Sequence, residues 1–519
     1  MIRLMIDGRP VEVAEGTTVL KAAEKAGIDL PRFCFHPAFV PEGSCRLCLV
    51  QIEGSPKLEL GCSTVVREGM KVATQSPVVR DARRGVLEFL LAEHPLDCPI
   101  CDKAGECKLQ DYAAEYGLTE GVFREAKEKR EKRLPIGEKL LLDRERCIQC
   151  TRCVRFLSEI TKTHELGLFE RGIRAEIGIY EGRPVRNGYS GNLVDLCPVG
   201  AITDTDFRFK TRPWFLDRGE SVCPHCSRGC NIYVDCHPGF PRVPGSAKVY
   251  RIRPRVNEAV NGPWICDYGR TTFVAAQNGG RSDRPFWNKS GAKIEIGWDK
   301  ARTVLGERLK ALREGGRTGR ASVAASGWLT DEELYLVKKI FCDGLKMSRL
   351  FLVDPKPGEG DPMLLRPDRA PNRRGAAELG FDLATPSLEA LTRDTEVLIL
   401  FGPHLASHFS GEELRAAFDK VALKILVTSH LTGLESLVDG VLASATPAEK
   451  EGSFTNADGR VQRFGAAARP CPDVRPELRI LQDLAREIGL GSGLFHPGVS
   501  ARAVFEALVQ EIPFFGAGA

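Results

Sequence analysis

The 519-residue chain carries 73 Lys and Arg against 69 Asp and Glu, a net charge of +4, with 43% hydrophobic and 27% charged residues. That is an ordinary globular composition with room for several domains; it excludes a disordered or fibrous chain and offers no bulk charge for nucleic acid or anionic lipid. No apolar run approaches the roughly 20 residues that span a bilayer. The opening MIRLMIDGRPVEVAEG also lacks the apolar core of a secretory signal, so a cytoplasmic location is expected, with membrane contact only through partner subunits.

In chain order, Ile2, Leu4 and Ile6, then Val11 and Val13, alternate around Asp7-Gly8, which predicts a hairpin. Thr17-Thr18 can cap a short helix bearing Leu20, Ala23 and Ala26. Hairpin, helix and then a cysteine-bearing loop suit a small β-grasp, ferredoxin-like module. A second helix is predicted from Val79 to Ala92, with Val86, Leu87, Leu90 and Leu91 as its apolar stripe. The run REAKEKREKR, Arg124–Arg133, reads as a solvated helical face or linker. After Cys266 the pattern changes. Asp299–Arg313 predicts an amphipathic helix, and the apolar runs Ser322–Ala325, Leu350–Val353, Val397–Phe401 and Lys424–Val427 alternate with helical stretches such as GEELRAAFDK. The fold class expected is multidomain α+β and α/β, with a parallel sheet in the C-terminal part.

Sixteen of the 18 cysteines lie in residues 1–266. In a reducing compartment such clustering reads as metal ligation, not as disulfides. The first set, Cys34, Cys45, Cys48 and Cys62, has one close pair and two flanking cysteines, the layout of a [2Fe-2S] loop, where each iron needs two protein sulfurs. The second set is His94, Cys98, Cys101 and Cys107. A [4Fe-4S] cluster and a zinc site of three cysteines and one histidine share that ligand list, and spacing alone does not separate them. The third, Cys147, Cys150 and Cys153 with the remote Cys197-Pro198, is the bacterial [4Fe-4S] pattern. The fourth, Cys223, Cys226 and Cys230 with Cys266, is again of [4Fe-4S] type, with Cys236 in a Pro/Gly stretch as a competing fourth ligand. Cys236, Cys342 and Cys471 are then left as ordinary buried thiols. Several such centres in one chain make a relay for single electrons.

The segments PRFCFHPAF, GSCRLCLVQIEG, LLAEHPLDCPICDKAGECKLQDYA, RCIQCTRCVRF, NLVDLCPVGAIT, VCPHCSRGC and NGPWICDYGR resemble the NADH-quinone oxidoreductase G-subunit family, the large iron–sulfur subunit of respiratory complex I. The likeness is dense over residues 1–270 and patchy beyond, in APNRRGAAELGF and EKEGSFTNADGRVQRF. The resemblance implies a [2Fe-2S] β-grasp domain over 1–78, a [4Fe-4S] segment with one histidine and three cysteine ligands over 79–120, and a [4Fe-4S] ferredoxin-like domain over 121–215. It further implies a molybdopterin-oxidoreductase-type [4Fe-4S] domain over 216–272, with Cys266 as ligand in its WICDYGR context. Residues 273–519 would form a shortened α/β molybdopterin-oxidoreductase-like domain without molybdenum. One [2Fe-2S] and two to three [4Fe-4S] clusters follow. So do an FMN- and NADH-binding flavoprotein partner and a further iron–sulfur or quinone-site subunit, in a hetero-oligomer peripheral to the membrane. Electrons would run from NADH through the flavin and these centres towards quinone.

Three other readings are weighed against this. NADH oxidation on this chain is disfavoured because Gly489-Leu-Gly491-Ser-Gly493 lacks the third glycine and a preceding strand. A molybdenum or tungsten enzyme would have Cys342 as its sole cysteine in the expected region. An iron–sulfur subunit of a soluble NAD-linked hydrogenase or formate dehydrogenase carries similar first sets and is the main alternative.

Overall fold

The computed structural model describes residues 1–239, 248–289, 291–402, 404–491, 493–496 and 498–517, without the side chains of 274–278. Ser492, in the glycine-rich stretch just named, lies outside the described residues. The chain folds as two compact units, Met1–Phe215 and Leu216–Ala519. No helix among the described residues is long and apolar enough to cross a membrane.

The first unit begins with the predicted hairpin. Ile2–Ile6 pairs antiparallel with Arg9–Val13, and Asp7 and Gly8 both take positive φ, the type I′ geometry that Asp-Gly favours. Leu4, Ile6, Val11 and Val13 point into the core while Arg3, Met5 and Glu12 stay outside. Lys71–Ala73 joins Ile2–Ile6 in parallel, and Leu49–Ile52 and Glu59–Leu60 complete a five-stranded sheet. The helix Val19–Lys25, capped by Thr18, buries Leu20 and Ala23 in the same core.

The next helix, Pro77–Glu93, ends at His94. Arg83, fully buried, projects from it and donates to Leu49 O (2.8 Å) and Tyr116 Oη (3.0 Å). The charged run 124–133 is irregular and mostly exposed, a linker and not a helical face, and three of its cations, Lys127, Arg130 and Lys132, are tied to backbone and to carboxylates. Lys127 Nζ caps Leu91 O and Ala92 O at 2.6 and 2.7 Å, taking the orphan carbonyls of the helix end beside His94. Arg130 donates to Ala175 O, and Lys132 pairs with Asp97 and Glu145. Mixed-sign charge hid this because nothing in the run itself names its partners.

In the second unit, Asp217–Val222, Asn231–His237 and Lys248–Pro254 form an antiparallel meander. A seven-stranded sheet follows. Its parallel core comprises Gly440–Ala443, Leu423–Thr428, Val397–Phe401, Ala321–Ala325 and Leu350–Leu352, edged by the antiparallel hairpin Phe286–Lys289/Ala292–Glu295. Four of these core strands and the helices Trp298–Glu314 and Gly411–Phe418 fall within a residue or two of the sequence reading. Both faces of the sheet are covered, as parallel sheets require. Val397, Ile399 and Phe401 face the core shared with Leu305, Leu309 and Leu481; Leu398 and Leu400 face Leu414 and Phe418.

Inside this unit lies an unusual helix start. Asp331–Val337 places Asp331, Glu332 and Glu333 in its first turn, none more than 1% exposed. Thr330 and Glu333 form a capping box. Asp331 Oδ2 accepts from Thr455 Oγ1 (3.0 Å), Glu332 Oε2 accepts from Ser453 N (2.9 Å), and Lys450 Nζ donates to Glu333 and Glu477 at 2.8 and 3.1 Å. Burial pushes the Asp331 and Glu332 carboxyls up to about 7. An acid raised on folding adds stability below its unfolded pKa and loses it as pH rises through the folded one. Amide exchange across residues 331–337 of the intact chain, corrected for the intrinsic pH dependence of exchange, is therefore expected to show more protection at pH 5.5 than at pH 8. Asp331→Asn, which removes one titration, should flatten that slope; an unchanged slope would sink the explanation.

Candidate iron–sulfur centres

Cys34, Cys45 and Cys48 stand in the loop between Val19–Lys25 and the strand Leu49–Ile52, and Cys62 follows the strand Glu59–Leu60. The thiols pair two by two, Cys45 with Cys34 and Cys48 with Cys62. The hydrogen bond from Cys45 lowers Cys34 to about 5, that from Cys48 lowers Cys62, and each donor thiol is raised in turn. Phe33 N lies 3.4 Å from Cys45 Sγ and donates to it. Arg46, between the close pair, has φ +54°, a left-handed residue that lets Cys45 and Cys48 turn inward together. Two pairs of thiols suit a two-iron centre, in which each iron takes two.

Of the second set, His94 stands where the helix Pro77–Glu93 ends, in a cleft shared with Cys147, and Cys98, Cys101 and Cys107 follow in the next loop. His94 Nδ1 is buried without a hydrogen-bond partner, and burial lowers the imidazole to about 4, so the ring is neutral and able to ligate. Cys101 and Cys107 are buried and their thiols raised by burial, whereas Cys98 is exposed. Residues 209–214 clasp the loop. Phe209 N donates to Asp102 Oδ1, Arg212 donates to Cys101 O (2.7 Å), and Trp214 lies on Gly105, where an added Cβ would meet its ring at 2.8 Å.

The third set lines a small cavity with apolar walls. Cys147, Cys150, Cys153 and Cys197 share it with Leu142, Ile148, Ile177, Pro198, Val199, Ala201 and Ile202. Gln149 and Thr151 both have positive φ, +53° and +55°, which winds the loop tightly enough to aim three cysteines at one point. Burial pushes Cys147 and Cys150 up to about 12. Thiols so placed stay protonated until a metal displaces the proton, which is released to solvent as the sulfur ligates. The second and third sets are joined by Arg146, which reaches Asp97 beside Cys98 (3.0 Å) and Asp143 (3.2 Å).

The fourth set belongs to the second unit. Cys223, Cys226, Cys230 and Cys266 are all buried, and Cys266 caps the helix Asp267–Asn278, its sulfur accepting from Gly269 N at 3.4 Å. A Cβ on Gly269 would lie 2.9 Å from Cys223 Sγ and 3.7 Å from Cys266 Sγ, so those two sulfurs flank one glycine. Cys236 stands apart. It lies in the strand Asn231–His237, not in a loop, and its thiol donates to Ala467 O (2.7 Å). Of the remaining thiols, Cys342 and Cys471 are half-buried, not fully buried.

Among the described residues, no three His, Cys, Asp or Glu side chains close around a single metal ion. The sequence reading named these cysteines but missed Gly200, Gly269, Arg152 and Arg155. Gly200 is pressed on Cys101, since a Cβ there would lie 2.2 Å from its sulfur. A glycine three residues after Cys197 is the only linear hint of that contact, and it does not name the partner.

Three family models match in succession: a 2Fe-2S iron-sulfur cluster binding domain over residues 1–77, the NADH-ubiquinone oxidoreductase-G iron-sulfur binding region over 83–121, and the NADH-quinone oxidoreductase subunit 3, ferredoxin-like domain over 137–203. The chain thus has a [2Fe-2S] domain and [4Fe-4S]-binding domains. The NADH-quinone oxidoreductase G-subunit of Streptomyces coelicolor is 42% identical over 65% of this chain and 39% of its own length. That of Rickettsia bellii is 38% identical over 67% and 50%, and the NADH-ubiquinone oxidoreductase 75 kDa subunit of Reclinomonas americana 39% identical over 69% and 50%. The chain spans half or less of the length of these relatives. Among solved structures, an NAD+-reducing [NiFe]-hydrogenase in its H2-reduced state is 30% identical over 41% of this chain and 91% of that one, with a TM-score of 0.37. With three iron–sulfur models in succession and relatives at 38–42% identity over 65–69% of its length, the chain is similar in its iron–sulfur part to the NADH-quinone oxidoreductase G-subunit family.

Proposed function

We propose that the chain is the iron–sulfur electron-relay subunit of an NADH-quinone oxidoreductase. It would pass electrons towards quinone from a partner flavoprotein that binds FMN and oxidises NADH. The observation that carries this reading is the small cavity walled by Cys147, Cys150, Cys153 and Cys197 among largely apolar residues, with Thr151 and Arg152, a four-thiol site of the kind a [4Fe-4S] cluster takes. The donor sets fit their groups: paired thiols Cys34/Cys45 and Cys48/Cys62 for one [2Fe-2S], and Cys147, Cys150, Cys153 and Cys197 for a [4Fe-4S]. His94 with Cys98, Cys101 and Cys107 would hold a second [4Fe-4S], and Cys223, Cys226, Cys230 and Cys266 a third. When bound, these groups supply one-electron transfer. The protein contributes burial, sulfur hydrogen bonds such as those from Phe33, Gln149 and Gly269, and neighbouring charge.

The domain limits follow the sets: 1–78, 79–120, 121–215 and 216–272, with 273–519 as an α/β domain of molybdopterin-oxidoreductase type. The parallel sheet supports that last assignment, and no molybdenum is proposed there. A further iron–sulfur or quinone-site subunit would receive the electrons, and the complex would hold the chain at the membrane.

The test is anaerobic capture of the full chain from membrane and soluble fractions, with iron, sulfide and zinc assayed and co-purifying subunits identified. An iron-rich membrane complex containing a flavoprotein is expected. A colourless zinc protein would overturn the reading, and recovery with a soluble hydrogenase or formate dehydrogenase would move the relay to a different enzyme.

A further inference from the structure

We propose that Arg152 and Arg155 are positioning residues that latch the first cysteine loop to the third and, through their fixed positive charge, raise the reduction potentials of both centres. The inference rests on reading those two sets as iron–sulfur ligands.

Both arginines rise from the turn that carries Cys150 and Cys153. Arg152 donates through Nη2 to Phe35 O, next to Cys34, and through Nη1 to Leu196 O (3.4 Å), next to Cys197. One guanidinium therefore spans the flanks of two cysteine sets. Arg155 donates to Cys34 O, to Val40 O (3.1 Å) and to Cys150 O (3.4 Å), and its side chain is 11% exposed. It also stacks on Phe39, 5.2 Å from the ring centre. Around this pair, Thr151 Oγ1 donates to Glu42, Glu42 lies 3.5 Å from Arg155, and Val40 N donates to Glu159 (3.1 Å). Residues 34–42 are thus fastened to residues 150–159 at six points in the same unit.

A rigid multi-donor fork is what such a fastening needs. Arginine has five N–H donors in fixed geometry and keeps its charge when buried; lysine has a single mobile head. The acceptors of Arg152 are backbone carbonyls, which leave its positive charge un-neutralised; Arg155 adds the Thr151 hydroxyl (3.2 Å) to its carbonyl acceptors and faces the Glu42 carboxylate, which Thr151 shares. Reduction of a cluster adds one negative charge, and a fixed cation nearby stabilises that state in a poorly screened interior. Arg152 lines the same cavity as Cys147, Cys150, Cys153 and Cys197, and its guanidinium also reaches the carbonyl next to Cys34, so one cation lies beside both sets.

The test uses the full chain in its complex, with the potential of each centre read by redox titration under electron paramagnetic resonance. Arg152→Gln and Arg155→Gln are expected to lower the midpoints of both the [2Fe-2S] and the third-set [4Fe-4S] centre, with the double variant moving furthest. Amides of residues 35–40 should exchange at least tenfold faster in the iron-free chain carrying either variant. Arg152→Lys keeps the charge and loses the fork, so it should hold the midpoints while the exchange stays fast. Glutamine variants with full signals and unmoved midpoints would overturn the proposal, as would a lysine variant that shifts as far as glutamine. If a glutamine variant loses a centre, Arg152→Lys decides: it must restore signal and midpoint. Absence of both signals from the unsubstituted chain would instead overturn the parent reading, and this one with it.

Discussion

Lys450→Met is expected to destabilise the C-terminal unit by about 3–5 kcal/mol, the cost of leaving buried carboxylates without their cation. Lys450 is 3% exposed and is the cation in contact with Glu333 and Glu477, while Asp331 and Glu332 sit in the same helix turn. Its removal leaves two acids whose partner is gone and two whose neighbourhood has become more negative. The damage is limited by protonation, because burial already raises the carboxyls of Asp331, Glu332 and Glu333. A smaller loss is therefore expected at pH 5.5 than at pH 8, where the acids must ionise or stay protonated at a cost. Urea unfolding of the full chain followed by exchange at residues 331–337 reads both numbers. Adding Glu333→Gln to Lys450→Met should recover part of the loss, since contacting residues are not additive. A Lys450→Met chain as stable as the parent at pH 8 would mean the cluster is already neutral without its lysine.

Gly200→Ala carries the second large effect, and it separates ligation from folding. A Cβ at residue 200 would lie 2.2 Å from Cys101 Sγ and 3.3 Å from Lys103 Cβ. In an iron-free chain the Cys101 sulfur can rotate away, so unfolding should shift by less than about 1 kcal/mol. A sulfur held by iron has no such freedom. The variant is expected to fold, keep the centres of the first and third sets and lose the one held by His94, Cys98, Cys101 and Cys107. Iron content should fall by about four atoms per chain, the content of one such cluster. Retention of that centre at full intensity would show that Cys101 is not its ligand.

How much of this was legible in the sequence depends on whether the information is local. The Asp7-Gly8 hairpin, the Thr18 cap and the strand Val397–Phe401 were readable because turn chemistry, capping and periodicity act over a few residues. The run Cys147, Cys150, Cys153, which lines one cavity, stood out because close cysteine spacing is itself a local pattern. What escaped is long-range. The run 124–133 gave no sign that Lys127 would cap a helix 35 residues upstream. The acids 331–333 drew no sequence expectation, because what buries and pairs them, the strand Gly452–Thr455 and Lys450, lies more than a hundred residues away. Cys236, set aside in the sequence as lying in a Pro/Gly stretch, sits in a strand that turns its sulfur to Ala467 O, a contact no local pattern announces. The edge hairpin Phe286–Lys289/Ala292–Glu295 escaped because its second strand is exposed throughout and lacks alternation.

Arg83 bears on how such a chain can be divided. The boundary between the first two family matches falls between residues 77 and 83, as if a free-standing ferredoxin ended there. Yet the guanidinium from beyond that boundary crosses back to the Leu49 carbonyl and on to Tyr116. A fragment cut at residue 77 takes away that donor, and a fragment starting there takes away an acceptor and leaves a permanent cation looking for water. The joints marked by sequence similarity are therefore records of ancestry and not seams for excision, and a minimal electron carrier made from this chain must run at least through Tyr116.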